Sequence, residues 1–178
     1  MSRDPIKKTK VVPFIGTKGE NPNWTQIKKS TAFTLSMNPQ TKTYDFISSE
    51  QPETEIDSYQ PSLAQSLTMF KGEPDYQTIF DMLYNRATGD DAHRPVLIAF
   101  IKETASYTPT VGEDPVIVYK GWLVDAVVAI NQMDTVNENI DFDLNFNDIT
   151  EGAITLSGAG VPTFIAGTFS DGTFTPAE

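Results

Sequence analysis

Glu-Asn-Ile-Asp-Phe-Asp-Leu-Asn-Phe-Asn, residues 138–147, alternates apolar and polar side chains along its length. A period of two is typical of a β-strand that has one buried and one solvated face. Phe142, Leu144 and Phe146 share the face predicted to be buried. The opposite face carries only carboxylates and amides, which are Asp141, Asp143, Asn145 and Asn147. We therefore predict a strand over residues 138–147, and its polar face is the first candidate for a functional surface.

Other segments repeat this alternation. Residues 33–37 alternate in the same way, and the Asn38–Thr41 segment that follows has Pro at its second position, which favours a type I turn. We predict a hairpin here, with the chain returning through residues 43–47. Residues 48–61 are polar and acidic and are predicted to form a long exposed loop. Further strands are predicted at residues 63–69, 95–102, 116–130 and 153–156.

One segment has helical spacing. Pro74 and Asp75 supply a favourable first turn, and Gly89 is a plausible C-cap. An apolar stripe follows the 3.6-residue period through Tyr76, Ile79, Phe80, Leu83, Tyr84 and Ala87. This stripe predicts a helix over about residues 74–88 that packs on the sheet.

The predicted fold is mainly β, a β-sandwich or partly closed barrel with one flanking helix. The chain has 178 residues, which suits a single domain. We assign residues 1–30 to an extended N-terminal arm, because prolines and glycines interrupt it every few residues. Residues 31–166 form the domain, and residues 167–178 form a C-terminal tail.

Charge is distributed unevenly along the chain. The formal net charge is −11, yet residues 1–30 hold seven basic and two acidic residues, and residues 121–178 hold nine acidic residues and no Lys or Arg. An acidic body is poorly suited to binding nucleic acid or an anionic membrane. The longest apolar run, residues 96–101, is far too short to span a bilayer as a helix. We expect neither specific DNA binding nor a membrane partner.

Motifs for catalysis, metals or cofactors are weak. The chain has no Cys and one His, His93, which excludes thiol chemistry and any site that needs two imidazoles from one chain. Residues 141–148 resemble a calcium loop superficially, but Phe146 and Gly152 stand where such a loop needs Gly and Glu. Asp90, Asp91 and His93 are interpreted as a solvated loop rather than a metal site. We predict no catalytic residue, no metal, no cofactor and no enzymatic activity.

Five segments form a further pattern: residues 38–47 (Asn-Pro-Gln-Thr-Lys-Thr-Tyr-Asp-Phe-Ile), 59–63, 71–76, 86–93 and 146–152. Together they resemble the major tail proteins of long-tailed, non-contractile bacteriophages of Gram-positive bacteria. The similarity extends over about residues 31–167, and its motifs are structural rather than catalytic.

This resemblance implies a tail-tube subunit. Such proteins form hexameric rings that stack into a hollow tube, together with other tail proteins, and DNA passes through the tube without specific binding. It implies a location in the virion tail, after assembly in the host cytoplasm. A channel lined by carboxylates and amides would repel DNA weakly, whereas a basic channel would retain it. The strip of Asp141, Asp143, Asn145 and Asn147 is our candidate channel lining; its alternative is an outward-facing or inter-subunit surface.

Opposite charges at two places in the chain suggest contacts between rings. A basic arm on one copy can lie against an acidic surface of the next and fix its register. The candidate residues are Lys7, Lys8, Lys10, Glu50, Glu53, Glu55 and Asp57. A solvated tail and a solubilising surface are the simpler interpretation of the same charges. Two other functions stay open: a tube subunit of a contractile tail or injection device, and a β-sandwich module that binds carbohydrate or a host surface.

Overall fold

The computed structural model describes residues 10–48, 50–109 and 114–177. Within these ranges the chain contains eleven strands, one α-helix and one short 3₁₀ turn. The elements are β1 Val11–Gly16, β2 Trp24–Gln26, β3 Ser30–Ser36, β4 Pro39–Tyr44, β5 Glu53–Tyr59, β6 Ser62–Thr68, α1 Pro74–Asn85, the 3₁₀ turn Gly89–Ala92, β7 His93–Tyr107, β8 Val116–Asp134, β9 Asn139–Leu156, β10 Pro162–Ser170 and β11 Thr173–Pro176.

Three long antiparallel strands, β7, β8 and β9, form the frame of the molecule. At one end, β1 and β2 extend the sheet beyond β7, while β6 and β3 extend it beyond β9. At the other end, β10 and β11 connect β9 back to β7 and close a five-stranded barrel. The predicted fold class, mainly β as a β-sandwich or partly closed barrel with one flanking helix, is confirmed, and the structure takes the barrel form.

The barrel closes through a short parallel contact between β11 and β7. Thr173 is paired with Ser106, and the Ser106 N–H donates to the Gly172 carbonyl at 2.9 Å. Phe174 of β11 is buried and packs edge-on against Tyr107, with the ring centroids 5.4 Å apart. Much of the segment expected to be a C-terminal tail, residues 167–178, therefore lies in strands and contributes to the core.

The helix covers the open part of the sheet. Ile79 and Met82 are buried in the same cluster as Phe142 and Leu144 of β9. Tyr84, which the helical stripe predicted to face the core, is 75% exposed. The helix begins at Pro74 as predicted.

The helix ends earlier than its predicted C-cap, Gly89. Arg86 adopts the left-handed conformation at φ 51°, and its N–H donates to the Leu83 carbonyl. The Ala87 N–H donates to the Met82 carbonyl at 3.0 Å, so the last carbonyls of the helix are satisfied there. Gly89 instead begins the 3₁₀ turn.

The predicted hairpin between residues 33–37 and 43–47 is wrong. Asn38 adopts a left-handed conformation at φ 44°, so the chain kinks there and continues outward as β4. β3 pairs with β6 and β4 pairs with β5, which makes one long two-stranded ribbon with its turn after Tyr44. Hydrogen bonds hold the two strands together at the kink: the Asn38 side chain donates to the Gln60 carbonyl, and the Gln60 N–H donates to the Asn38 carbonyl.

The N-terminal segment also differs from the expectation. From Val11 onward, the residues assigned to an extended arm form β1, which pairs with β7. Phe14 and Ile15 of this strand are almost completely buried. Pro13 and Gly16 suggested an interruption, but pairing with β7 keeps this stretch extended in the sheet. Trp24, expected to anchor the arm, lies in β2 and packs against the cluster that contains Phe14.

Candidate assembly surfaces

The polar face of β9 lies opposite the helix. Ile140, Phe142 and Leu144 point into the core, and Asp141, Asp143 and Asn145 point to the other side of the sheet. Asn147 does not continue this row: the register with β8 shifts there, so Asn147 sits exposed at a β-bulge without a directly opposed residue. Three of the four residues of the candidate strip thus form one row.

The neighbouring strands extend this row into a patch of small and uncharged side chains. In an antiparallel sheet, directly opposed residues share a face. Asp143, for example, is flanked by Ala64 of β6 and Ala129 of β8. The other neighbours of the row are Ser62, Ser66, Val127 and Gln132, and β3 adds Ala32, Thr34 and Ser36. None of these positions is Lys or Arg. We call this patch the polar face.

Neutral donors hold the carboxylates of the polar face. Asp141 accepts hydrogen bonds from the side chains of Gln132 at 2.6 Å and Asn139 at 2.9 Å, as well as from the Ser66 hydroxyl. Asp143 accepts one from the Asn131 amide at 2.8 Å. Amides and hydroxyls fix the orientation of a carboxylate without cancelling its charge. The polar face therefore stays negative while its side chains are held in place.

A second surface is the projecting ribbon of β4 and β5, which we call the hairpin. Every residue of both strands is exposed. An isolated two-stranded hairpin is at best marginally stable in water, and this one is anchored at its base by the β3–β6 pair that it continues. Side-chain contacts across it include the pair of Lys42 and Asp57 at 2.8 Å and the hydroxyls of Thr43 and Thr54, which are 3.2 Å apart.

Three of the acids predicted to bridge rings lie along the hairpin, on β5. Glu53, Glu55 and Asp57 are exposed, and Glu50 is exposed in the turn that precedes them. Asp57 differs from the others because its charge is already partly neutralised by Lys42. The turn also exposes apolar side chains that the acidic composition did not suggest.

Of the basic residues predicted to meet these acids, Lys7 and Lys8 lie outside the described residues. Lys10 is half-buried immediately before β1. In the described part of the chain, no ion pair links Lys10 to Glu50, Glu53 or Glu55.

Ion pairs form among the charged residues around His93. Lys18 lies 2.9 Å from Asp90 and 3.4 Å from Asp91. The hydrogen bond with Asp90 raises the pKa of Lys18 and lowers the pKa of Asp90 below its ordinary value. His93 Nδ1 is 3.1 Å from a carboxylate oxygen of Asp125. Among the described residues, no group of three or more potential ligands is placed to hold a metal ion.

The described part of the chain also contains no helix with the length and apolar character that a membrane crossing requires.

Comparison with known proteins gives a likeness of fold only. No family model matches the sequence, and no curated protein matches it. The structure is similar to the sheath/tube terminator of an extracellular contractile injection system, PVC, in its extended state. The TM-score is 0.50 with 12% sequence identity, covering 85% of this chain and 99% of that chain. It also matches a chain of the anti-feeding prophage (AFP) baseplate at a TM-score of 0.44 and 14% identity, covering 85% of this chain and 97% of that one. The second score is too low to support a conclusion. From the first, the fold of this chain resembles that of the sheath/tube terminator.

Proposed function

We propose that this chain is a structural subunit that assembles with further copies of itself into the tube of a tail-like machine. The observation that carries the proposal is the polar face, in which Asp141 and Asp143 are oriented by neutral donors among small side chains. The likeness of fold to a tube terminator supports the same class of function.

In the proposed assembly, copies form hexameric rings that stack into a hollow tube, and the polar face lines the channel. Duplex DNA carries one negative charge per roughly 1.7 Å of its axis. Two uncancelled carboxylates from each chain would keep such a polyanion from adhering to the wall. Small side chains such as Ala64 and Ala129 would leave the wall smooth.

The machine itself has two candidates. A contractile injection system is favoured by the likeness to its sheath/tube terminator. The tail of a non-contractile phage is the other candidate, and a negative channel wall suits the passage of DNA. In both, other tail proteins would cap the tube, and neither assigns catalysis to the chain.

Negative-stain electron microscopy of the purified full-length chain over a concentration series tests the proposal. We expect rings or hollow tubes of constant diameter that become more abundant as concentration rises. Single particles of monomer size at every concentration, with a matching sedimentation coefficient, would contradict self-assembly and would favour a monomeric binding module.

A further inference from the structure

The two edges of the open sheet approach each other and leave a groove. The hydrogen-bonded order of strands ends with β2 beside β1 on one edge and with β3 on the other. β2 pairs only with Phe14–Gly16, so the first residues of β1 lie at the edge of the sheet. The groove between β1 and β3 has a volume of about 480 Å³. Its lining is mixed: apolar side chains include those of Val11, Pro13, Ile27 and Phe33, and polar residues such as Gln26, Ser30 and Thr31 lie among them.

One polar side chain in this groove stands out. Gln65 of β6 lines the groove and is only 3% exposed. Neither its amide nitrogen nor its carbonyl oxygen has a hydrogen-bond partner within the described residues. Because leaving a buried polar group unpaired is costly, such a group calls for an explanation. A carboxamide offers one acceptor and a pair of donors, which matches the C=O and N–H of an extended peptide.

We propose that the groove binds the tip of the hairpin of a second copy of this chain. The tip comprises residues 44–48, and Ile47 is its anchor. Ile47 is fully exposed, and Phe46 beside it is 48% exposed and stacked on Tyr44. An exposed apolar tip and the apolar part of the groove are complementary. The amide atoms of Gln65 are buried, so the tip would part the side chains over them and bring its backbone groups to the partners' positions. This inference rests on the proposed self-assembly and names the contact that produces it.

Charge supports the same pairing. Lys28 lines the groove, and Lys29 and Lys10 adjoin lining residues in sequence. The tip carries Asp45 and is followed by the exposed Glu50. Basic residues around a receptor and acidic residues around its ligand steer the two together and disfavour the wrong partners.

The geometry indicates a contact between two chains. The groove lies at the Ser30 end of β3, and the hairpin departs from the Ser36 end, about 20 Å away along the strand. The hairpin continues outward from there, beyond the kink at Asn38. Such a contact is head-to-tail, and a head-to-tail contact generates closed rings or open filaments.

The absence of native cysteine makes disulfide trapping a clean test. An Ile47→Cys chain is mixed with a mass-tagged Thr31→Cys chain, because Thr31 is exposed and lines the groove. The mixture is oxidised in air under assembly conditions. We expect a mixed covalent dimer. The matched control is Val136→Cys in place of Ile47→Cys, since Val136 is 88% exposed in the turn between β8 and β9. No mixed dimer, or equal amounts with Val136→Cys, would overturn the proposal.

A second variant separates binding from folding. Gln65→Met removes the unpaired amide at similar volume, so the monomer should melt about 2–6 °C higher. The same change removes the partner of the tip backbone, so assembly should need a roughly fivefold to tenfold higher concentration. A merely structural role for Gln65 would raise the melting temperature without raising the concentration needed for assembly, and that result would contradict the proposal.

The outcome also distinguishes this contact from the proposed function. Wild-type tubes without the mixed dimer would leave self-assembly standing and refute the groove as the docking site. A wild-type chain that stays monomeric under all conditions would refute both.

Discussion

A buried carboxylate ties the start of the helix to the segment that crosses from β2 to β3. Asp75 is only 2% exposed, and its Oδ2 accepts hydrogen bonds from the N–H groups of Lys28 at 3.0 Å and Lys29 at 3.3 Å. Its Oδ1 accepts from the N–H of Tyr76 at 2.9 Å. We predict that Asp75→Ala destabilises the monomer, because it removes the acceptor of these three donors together.

The magnitude follows from the environment of those donors. The two lysine residues are exposed, so water can reach part of their backbone, and each lost bond should cost about 1 kcal/mol rather than the upper value for a charged acceptor. The Tyr76 N–H is in the first turn of the helix and is easily resolvated. The free energy of unfolding should therefore fall by about 2–3 kcal/mol, and the melting temperature of a domain of this size should fall by roughly 4–12 °C.

Thermal unfolding followed by circular dichroism measures this effect, at a concentration where the chain is monomeric. The matched control is Asp81→Ala on the same helix, since Asp81 is exposed and, among the described residues, accepts a side-chain hydrogen bond from Gln77 one turn earlier. That pair should contribute at most about 0.5 kcal/mol. The melting temperature of Asp75→Asn should lie between those of the two Ala variants, because the carbonyl of the Asn side chain keeps one hydrogen-bond acceptor. A melting temperature for Asp75→Ala within 2 °C of that of Asp81→Ala would refute the reasoning.

Two further predictions concern the barrel and the turn between β8 and β9. Gly152→Ala should lower the melting temperature by several degrees, because the new methyl group would collide with the backbone carbonyl of Ile165. In the control Gly158→Ala, the new methyl group meets nothing within 4 Å, so the melting temperature should hardly change. Equal melting temperatures for the two variants would contradict this account of the barrel. Backbone and side-chain hydrogen bonds from Asn137, with a smaller contribution from the backbone of Val136, lower the pKa of Asp134. The stability that this turn contributes should thus be present above the ordinary carboxyl pKa and be lost as pH falls through the lower pKa of the folded state. An NMR titration should show an acidic midpoint for Asp134, and Asn137→Ala should move that midpoint upward. An unmoved midpoint would refute the assignment.

The elements with a strong local period were predictable from sequence. Residues 138–147 alternate without conflict, and the structure places Phe142 and Leu144 inside with Asp141 and Asp143 opposite them. The helix was predictable for the same reason, because a proline start and a 3.6-residue stripe agree. In both cases local preference and burial point in the same direction.

The pairing of strands was not predictable where one dihedral angle decides it. Asn38-Pro39 favours a turn, and the left-handed conformation of Asn38 converts that turn into a kink within a longer ribbon. β1 was not predicted, because it is buried by pairing with β7, a strand that lies far from it in the sequence. The groove with Gln65 has the same origin, since it exists only where two distant edges of the sheet approach each other. The small residues Ser62, Ala64 and Ser66 recur at every second position, and this spacing was a sequence signal for the polar face.

The central claim is that copies of this chain enclose a channel whose wall is the polar face. A cryo-electron microscopy reconstruction of the assembled particles tests it most directly. We predict a hollow tube with Asp141, Asp143 and Asn145 of every copy facing the channel and α1 away from it. A tube in which these residues face the outer surface, or particles without a channel, would contradict the account.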